Sequence, residues 1–408
     1  MNIKETLYNK LVRYAKIKTP SNAENAKETP STTCQWDLAK LLAKELKELG
    51  LKNIEITKHA YVLGELPSNS SKKLPAVGFV GHMDTVLEYT TNEIKPLLHK
   101  NYKGGKILLD AGKKMYIDPA KEHGLKHAKG HDIVTSSGDT ILGADDKSGI
   151  AIIMTMLEYL KNNPQFKHGP VKVAFTPDEE IGHGSALMPF DKFNPDFAYT
   201  MDGPLGSACN GNFNADAITI TITGVYCHMG YAKDIMVSPV LVASELISLW
   251  PKKHRPENTE KEKGFIFFSS VAGNMEKVII KGGVREHDLK KLAALEREVR
   301  AHAKKLEAKH KGAKIIIETK PSYRNMKDVL AKHPEPMKRL IRAMKEEKVN
   351  LSIAQVRGGT DGARLTLSGV PTPDFSAGYG GEHGPYEWVS LDAMAGSLRV
   401  ALNIIKER

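Results

Sequence analysis

A few imidazoles and carboxylates, each standing at the end of an apolar run, mark where this chain could do chemistry. His82 and Asp84 follow the apolar run 76–80 in the segment Gly81-His82-Met83-Asp84-Thr85. Two residues apart in extended backbone, their side chains share one face. One could therefore ligate a metal while the other supports it, as a carboxylate beside a ligating histidine can fix its tautomer. Asp145 and Asp146 follow Gly143-Ala144 and precede a helical pattern, which places a carboxylate on a glycine-freed loop where it could bridge two cations. Glu179 and Glu180 are adjacent at the end of another apolar run. Neighbours in extended chain face opposite ways, so the pair would divide labour, one binding metal and one moving a proton. Asp202 ends a third run, and His383 sits in GYGGEHGPYE, where glycines permit unusual backbone geometry. Two histidines and three or four carboxylates without cysteine fit a catalytic zinc pair, with manganese or cobalt allowed by the same donors. Two such ions roughly 3.5–4 Å apart can activate water and polarise a carbonyl together. Singly, each motif has a bland reading, since adjacent glutamates usually form a solvated face and a lone histidine is more often structural; the conjunction carries the argument.

The elements that must position these residues are legible in the apolar pattern. Runs 76–80, 171–175 and 197–201 are short and nearly all apolar, as buried parallel strands are. Each ends in acidic or imidazole side chains, and in open α/β sheets ligands bind at the carboxyl ends of the strands. Helical patterns over 36–49 and 147–160 alternate with them. The expected fold is α/β, a catalytic domain with a mostly parallel central sheet covered by helices. From about Ala215 the pattern changes to strand 217–225, helix 238–250, strands 265–271 and 278–284, a charged helix 289–310 and strand 315–319. That β-α-β-β-α-β order is the ferredoxin-like unit and reads as an inserted lid or dimerisation domain. The expected boundaries are 1–213 and 322–408 for the two parts of the catalytic domain and 214–321 for the insert. Region 100–137, rich in Lys, Gly and His with few periodic apolar positions, reads as an excursion from the sheet. His123 and His127 within it are expected on a surface loop, because the flanking lysines oppose cation binding.

Five segments together carry a resemblance: GHMDT at 81–85, ILGADDKSG at 141–149, AFTPDEEIGHG at 174–184, YTMDG at 199–203 and RGGTDGARL at 357–365. They resemble the peptidase T family of tripeptide aminopeptidases, part of a larger group of two-zinc hydrolases that includes acetylornithine deacetylase and succinyl-diaminopimelate desuccinylase. The similarity runs from PSTTCQW at 30–36 to the final helix. It implies hydrolysis of the N-terminal residue from tripeptides and short peptides, with two zinc ions per subunit. His82 and Asp202 would hold one ion, Glu180 and His383 the other, and Asp145 would bridge both. Asp84 would orient His82, and Glu179 would be the general acid/base. His228, in VYCHMGYAKD, matches a histidine that supports the oxyanion, while Arg285, in GGVREHD, and Arg357 match positions that grip the peptide carboxylate. For Arg357 a plain loop-anchoring hydrogen bond competes with that role. Two departures, His228-Met229-Gly230 for the family's His-Pro-Gly and Ser238 for its asparagine, bear on the shape of the substrate pocket and leave the zinc ligands intact. The same metal site would serve a dipeptidase or an N-acyl-amino-acid deacylase, which a comparison of tripeptides with N-acetylated amino acids separates. A non-catalytic binding module would be expected to have lost some of the ligands.

Bulk properties agree with an enzyme of two domains. At 408 residues the chain exceeds the size at which one core stops growing. With 41% hydrophobic and 26% charged residues it is globular in composition. The net charge of +11 is spread through mixed Lys-Glu helices and gathers into no stripe with interleaved aromatics, so no nucleic-acid partner is expected. No run approaches the length of a membrane span, and Leu7, Leu11, Val12 and Tyr14 mark an amphipathic first helix without the apolar run of a signal peptide. Cys34, Cys209 and Cys227 are an odd, scattered set that suits reduced thiols and a cytoplasmic location. The expected partners are small peptide substrates, with the chain a monomer or homodimer.

Overall fold

The computed structural model describes residues 2–90, 92–110, 112–122 and 124–408, so His123 falls outside the described residues. The chain forms two compact units, one of Met1–Asn210, Met326–Ala354 and Thr360–Arg408, the other of Gly211–Asn325 and Gln355–Gly359. The second unit is wider than 214–321 and also takes in 355–359, where Arg357 lies.

An eight-stranded sheet, in the first unit except for the last two residues of Ser207–Asn212 and of Ser352–Val356, runs in the order Lys52–Ile56, Val62–Leu66, Val171–Thr176, Val77–His82, Phe197–Thr200, Asp374–Phe375, Ser207–Asn212, Ser352–Val356. The three apolar runs are its centre. They are parallel, with Val80 level with Ala174 on one side and Thr200 on the other. Toward the edges the pairing turns antiparallel, Val62–Leu66 against Val171–Thr176 and Ser207–Asn212 against Asp374–Phe375. The sheet is therefore mixed, because the edge strand Lys52–Ile56 joins Val62–Leu66 through the short connection 57–61 and a hairpin can only pair antiparallel.

Helix Ala144–Asn162 is buried along nearly its whole length. It packs between the sheet and helices Ile3–Ala15 and Leu391–Ile405. The opposite face is covered by Tyr61, Met188, Phe193, Leu365 and Val370 around Val80 and Ala174. With cover on both faces, Val77–His82 has no exposed residue, and its last side chain, His82, is delivered into the interior. Burying an imidazole there requires polar partners.

Region 100–137 is more than an excursion. Strands Leu97–His99 and Ile133–Thr135 join Trp388–Ser390 and Tyr379–Gly380 in a second, four-stranded sheet, packed over Leu125, Ile133 and Trp388. This small sheet flanks the segment that carries His383. Strands of two or three residues are too short to leave an alternation in sequence.

The second unit is a four-stranded antiparallel sheet in the order Phe265–Gly273, Lys277–Glu286, Asn214–Thr223, Lys314–Tyr323, with helices Pro239–Leu249 and Leu289–Lys309. Ile218, Ile220 and Ile222 alternate inward and meet Val242, Leu246, Leu295 and Val299 from the helices. Ser238 and Asp288 cap the two helices, accepting from Leu241 N and Lys291 N, which leaves fewer of the first-turn amides unpaired. Among the described residues no helix is long and apolar enough to cross a membrane.

Candidate metal centre

His82, Asp145, Glu180, Asp202 and His383, scattered over three hundred residues of sequence, converge in the first unit. Nitrogen or oxygen atoms of His82, Asp145 and Asp202 lie within 4.8 Å of one another, as do those of Asp145, Glu180 and His383. Asp145 belongs to both groups. His82 Nε2 is 3.0 Å from Asp145 Oδ1, and His383 Nε2 is 3.2 Å from Asp145 Oδ2 and 3.0 Å from Glu180 Oε2. One carboxylate thus presents one oxygen to each histidine.

Local structure explains how each donor arrives. His82 ends its strand, and Asp145 sits in two non-helical residues at the start of helix Ala144–Asn162, after Gly143 with φ +72°. His383 has φ +64°, a left-handed conformation in a loop bracketed by glycines. Tyr379 OH donates to Asp202 Oδ1 at 2.6 Å. Glu387 accepts from the amides of Leu142, Gly143 and Asp145 at 2.6, 2.7 and 3.0 Å, and so holds the loop that carries Asp145. Neither Tyr379 nor Glu387 was visible as functional in sequence, although Glu387 stands four residues after His383 in the same glycine-rich segment.

Asp84 has a wider part than orienting His82. Its Oδ1 and Oδ2 accept from Glu179 N and Glu180 N at 2.9 and 3.1 Å. His82 Nδ1 lies 3.1 Å from the Asp84 carbonyl oxygen and 3.5 Å from Oδ1, so the main chain is the nearer partner of the ring. Asp146 takes no place in either donor group; its carboxylate accepts from His82 N and Gly149 N.

The electrostatics of the cluster call for positive charge. Burial, with the charge of Asp145, pushes Glu180 up to about 7 and Asp202 up to about 6. Burial likewise raises Glu179 well above the glutamate range, with His82 opposing and Asp361, Asp202 and Glu180 adding to the rise. Hydrogen bonds to Asp145 and Glu180 raise His383 to about 11 against its burial. Burial works against protonation of His82 too, yet Asp145 and Asp84 raise it well above the usual imidazole value. Burial alone would raise Asp145, but His383 and His82 hold its carboxyl below the ordinary range. Two divalent cations would supply the positive charge that these buried carboxylates call for. The donors are oxygen and nitrogen without sulfur, three to a group, which fits a catalytic ion that keeps open positions.

A carboxylate fixed by a neighbour binds metal better than one that must be ordered. Tyr379→Phe removes one hydroxyl and keeps the ring, and it is expected to weaken metal binding roughly 10-fold or more. Competition with a chromophoric chelator measures this; an unchanged affinity would show that Asp202 needs no such support.

The three remaining sequence candidates lie in the second unit. His228 precedes the short turn Met229–Tyr231, and its Nδ1 accepts from Gly230 N at 3.1 Å. Arg285 lies 5.4 to 5.9 Å from the ring centres of Phe265, Phe267 and Tyr323 and donates to the Arg357 carbonyl at 3.3 Å. Arg357 donates to the carbonyls of Lys261 and Lys263 and to Thr259 Oγ1 at 2.9, 3.1 and 2.8 Å. Its guanidinium therefore ties a loop.

A model of Peptidase family M20/M25/M40 matches residues 140–407. Among curated proteins, the Peptidase T of Halothermothrix orenii is 40% identical over 398 residues, covering 97% of each chain. Among solved structures, a tripeptidase from Staphylococcus aureus superposes with a TM-score of 0.76 at 19% identity, covering 99% of this chain and 98% of that one. A dinuclear metal-binding peptidase of the M20 family from Bacillus subtilis gives 0.64 at 13% identity, covering 98% and 97%. At such identities the structural likeness speaks for the fold.

Proposed function

The chain belongs to peptidase family M20/M25/M40, and from that membership we propose that it is a dinuclear metallo-aminopeptidase that releases the N-terminal residue of tripeptides in the cytoplasm. The observation that carries this reading is Asp145, shared by two donor groups beside the Glu179-Glu180 turn. The Peptidase T relative at 40% identity over 97% of the chain supports the substrate class. His82 and Asp202 would hold one ion, Glu180 and His383 the other, and Asp145 both. Zinc is the proposed metal, since the nitrogen and oxygen donors suit it. A bound pair supplies two things, polarisation of the scissile carbonyl and a lowered pKa for an attacking water.

The side chains of this protein do the rest. Glu179 takes a proton from the attacking water and returns it to the leaving amine. In a neutral His228, Nδ1 accepts from Gly230 N, so the ring proton resides on Nε2, free to donate to a developing oxyanion. Arg285 is the proposed reader of the far carboxylate, a task suited to a planar guanidinium.

A series of dipeptides, tripeptides, tetrapeptides, tripeptide amides and N-acetylated amino acids, with elemental analysis of the purified protein, tests the proposal. Tripeptides are expected to be cleaved best with two equivalents of metal per chain; a preference for N-acetylated amino acids would point to a deacylase instead. Arg285→Lys is expected to raise KM for tripeptides by roughly 10-fold, the loss of a charge-assisted bidentate contact, while leaving tripeptide amides unaffected. Arg357→Lys should affect acid and amide alike, because its donors hold a loop. Reversal of the two patterns would exchange their roles.

A further inference from the structure

The Glu179 turn is held from two sides. Asp84 takes the amides of Glu179 and Glu180 from one side. From the other, the segment 19–35 reaches the residue immediately before Glu179. We propose that Asp178, clamped by Ser31 and Gln35, is a positioning residue that fixes Glu179 for proton transfer; the inference rests on the role given to Glu179 above.

Asp178 is buried and has φ +58°. Few side chains accept that left-handed backbone readily, and Asp and Asn are among them. Its carboxylate accepts from Ser31 N at 2.7 Å, Ser31 Oγ at 2.6 Å and Gln35 Nε2 at 2.7 Å. Gln35 Oε1 accepts in return from Asp178 N at 3.2 Å, and the Asp178 carbonyl accepts from His183 N at 2.9 Å. Main chain and side chain of this residue are both engaged.

The clamp closes a ring. Thr32 Oγ1 donates to the Pro20 carbonyl and Ser31 Oγ accepts from Asn22 N, which folds the segment on itself. Its start is stitched to the loop after His82: Thr19 Oγ1 donates to Met83 O, Ser21 N to Thr85 O, and Thr85 N to Thr19 O. That loop carries Asp84. The circuit therefore runs from segment 19–35 to the His82 loop, through Asp84 to the amides of Glu179 and Glu180, and through Asp178 back to segment 19–35.

Burying a carboxylate is costly unless it is fully hydrogen-bonded, and a packed apolar pair can hold a turn as stably as a buried charge does. What three charge-assisted bonds add is direction. Glu179 must meet water and leaving amine within hydrogen-bond reach, and a displacement of about 1 Å can cost about 100-fold in rate.

Two variants test this against Glu179→Gln as a reference. Asp178→Asn keeps shape and tolerance of the left-handed backbone but presents an amide nitrogen where an acceptor is needed. Ser31→Ala removes the hydroxyl bond to Asp178 and the one accepted from Asn22 N, while the main-chain bond from Ser31 N to Asp178 and the residues of the turn stay. The expected result for Asp178→Asn is a fall in kcat of roughly 10–100-fold with KM and metal content unchanged, and for Ser31→Ala a smaller fall of the same kind. A purely structural role would lower Tm while kcat per metal-loaded chain stayed within about twofold of the parent, and that overturns the proposal. If Asp178→Asn does not fold, Ser31→Ala decides alone by the same criterion. Normal turnover in Glu179→Gln would remove the premise itself, whereas an inactive Glu179→Gln beside a normal Asp178→Asn would sink only the clamp.

Discussion

Glu179→Gln is expected to keep both metals and to lose at least about two orders of magnitude in kcat, the contribution of a positioned general base. The argument rests on the division between two neighbours. Glu180 belongs to a donor group with Asp145 and His383, whereas Glu179 belongs to neither group, although both are carried on amides that donate to Asp84. Those bonds use the main chain of residue 179 and survive the substitution, so the turn keeps its path. Glutamine has the size of glutamate and cannot take a proton at neutral pH. The measurements are kcat and KM on a tripeptide together with elemental metal content. Loss of metal along with activity would move Glu179 into the coordination sphere, and near-normal turnover would hand proton transfer to another group.

The parts of the molecule legible in sequence were those written in local pattern. Val77–His82 is covered on both faces, so it had to be apolar up to His82 at its end. Strand Asn214–Thr223 is covered on one, so it alternates. What could not be read locally was the meeting of strand ends. His82, Asp145, Glu180, Asp202 and His383 each carry a modest local signal; their conjunction at the ends of apolar runs points to a metal pair, and the resemblance supplies which of them would share each ion. Their supports carry less: Gln35 and Asp178 are 143 residues apart, and Glu387 grips amides more than 240 residues away. A hydrogen bond from a single side chain to a distant main chain imposes no periodicity, so nothing in the sequence announces it. Arg357 shows the same limit, because Lys261 O and Lys263 O satisfy it as backbone acceptors that any residue type could supply.

Asp145→Ala should be the most damaging single change, removing both metals and bringing turnover below detection. Loss of an outer partner such as the Tyr379 hydroxyl is expected to cost roughly 10–100-fold in metal affinity, and in the proposed arrangement Asp145 is itself a donor, to two ions at once. Each group of three would be reduced to two: His82 with Asp202, and Glu180 with His383. The first pair still has the Tyr379 hydroxyl on Asp202, and the second contains the more exposed His383, which is half accessible to solvent. Asp202→Ala offers the control, because it removes one donor from one group only and is expected to leave the Glu180–His383 ion in place. Metal titrations of the two variants therefore distinguish a shared carboxylate from two independent sites. If Asp145 bridges, its replacement abolishes tight binding of both equivalents while Asp202→Ala loses one; if Asp145→Ala still holds one ion as tightly as the parent, the two groups are separate and the dinuclear reading fails.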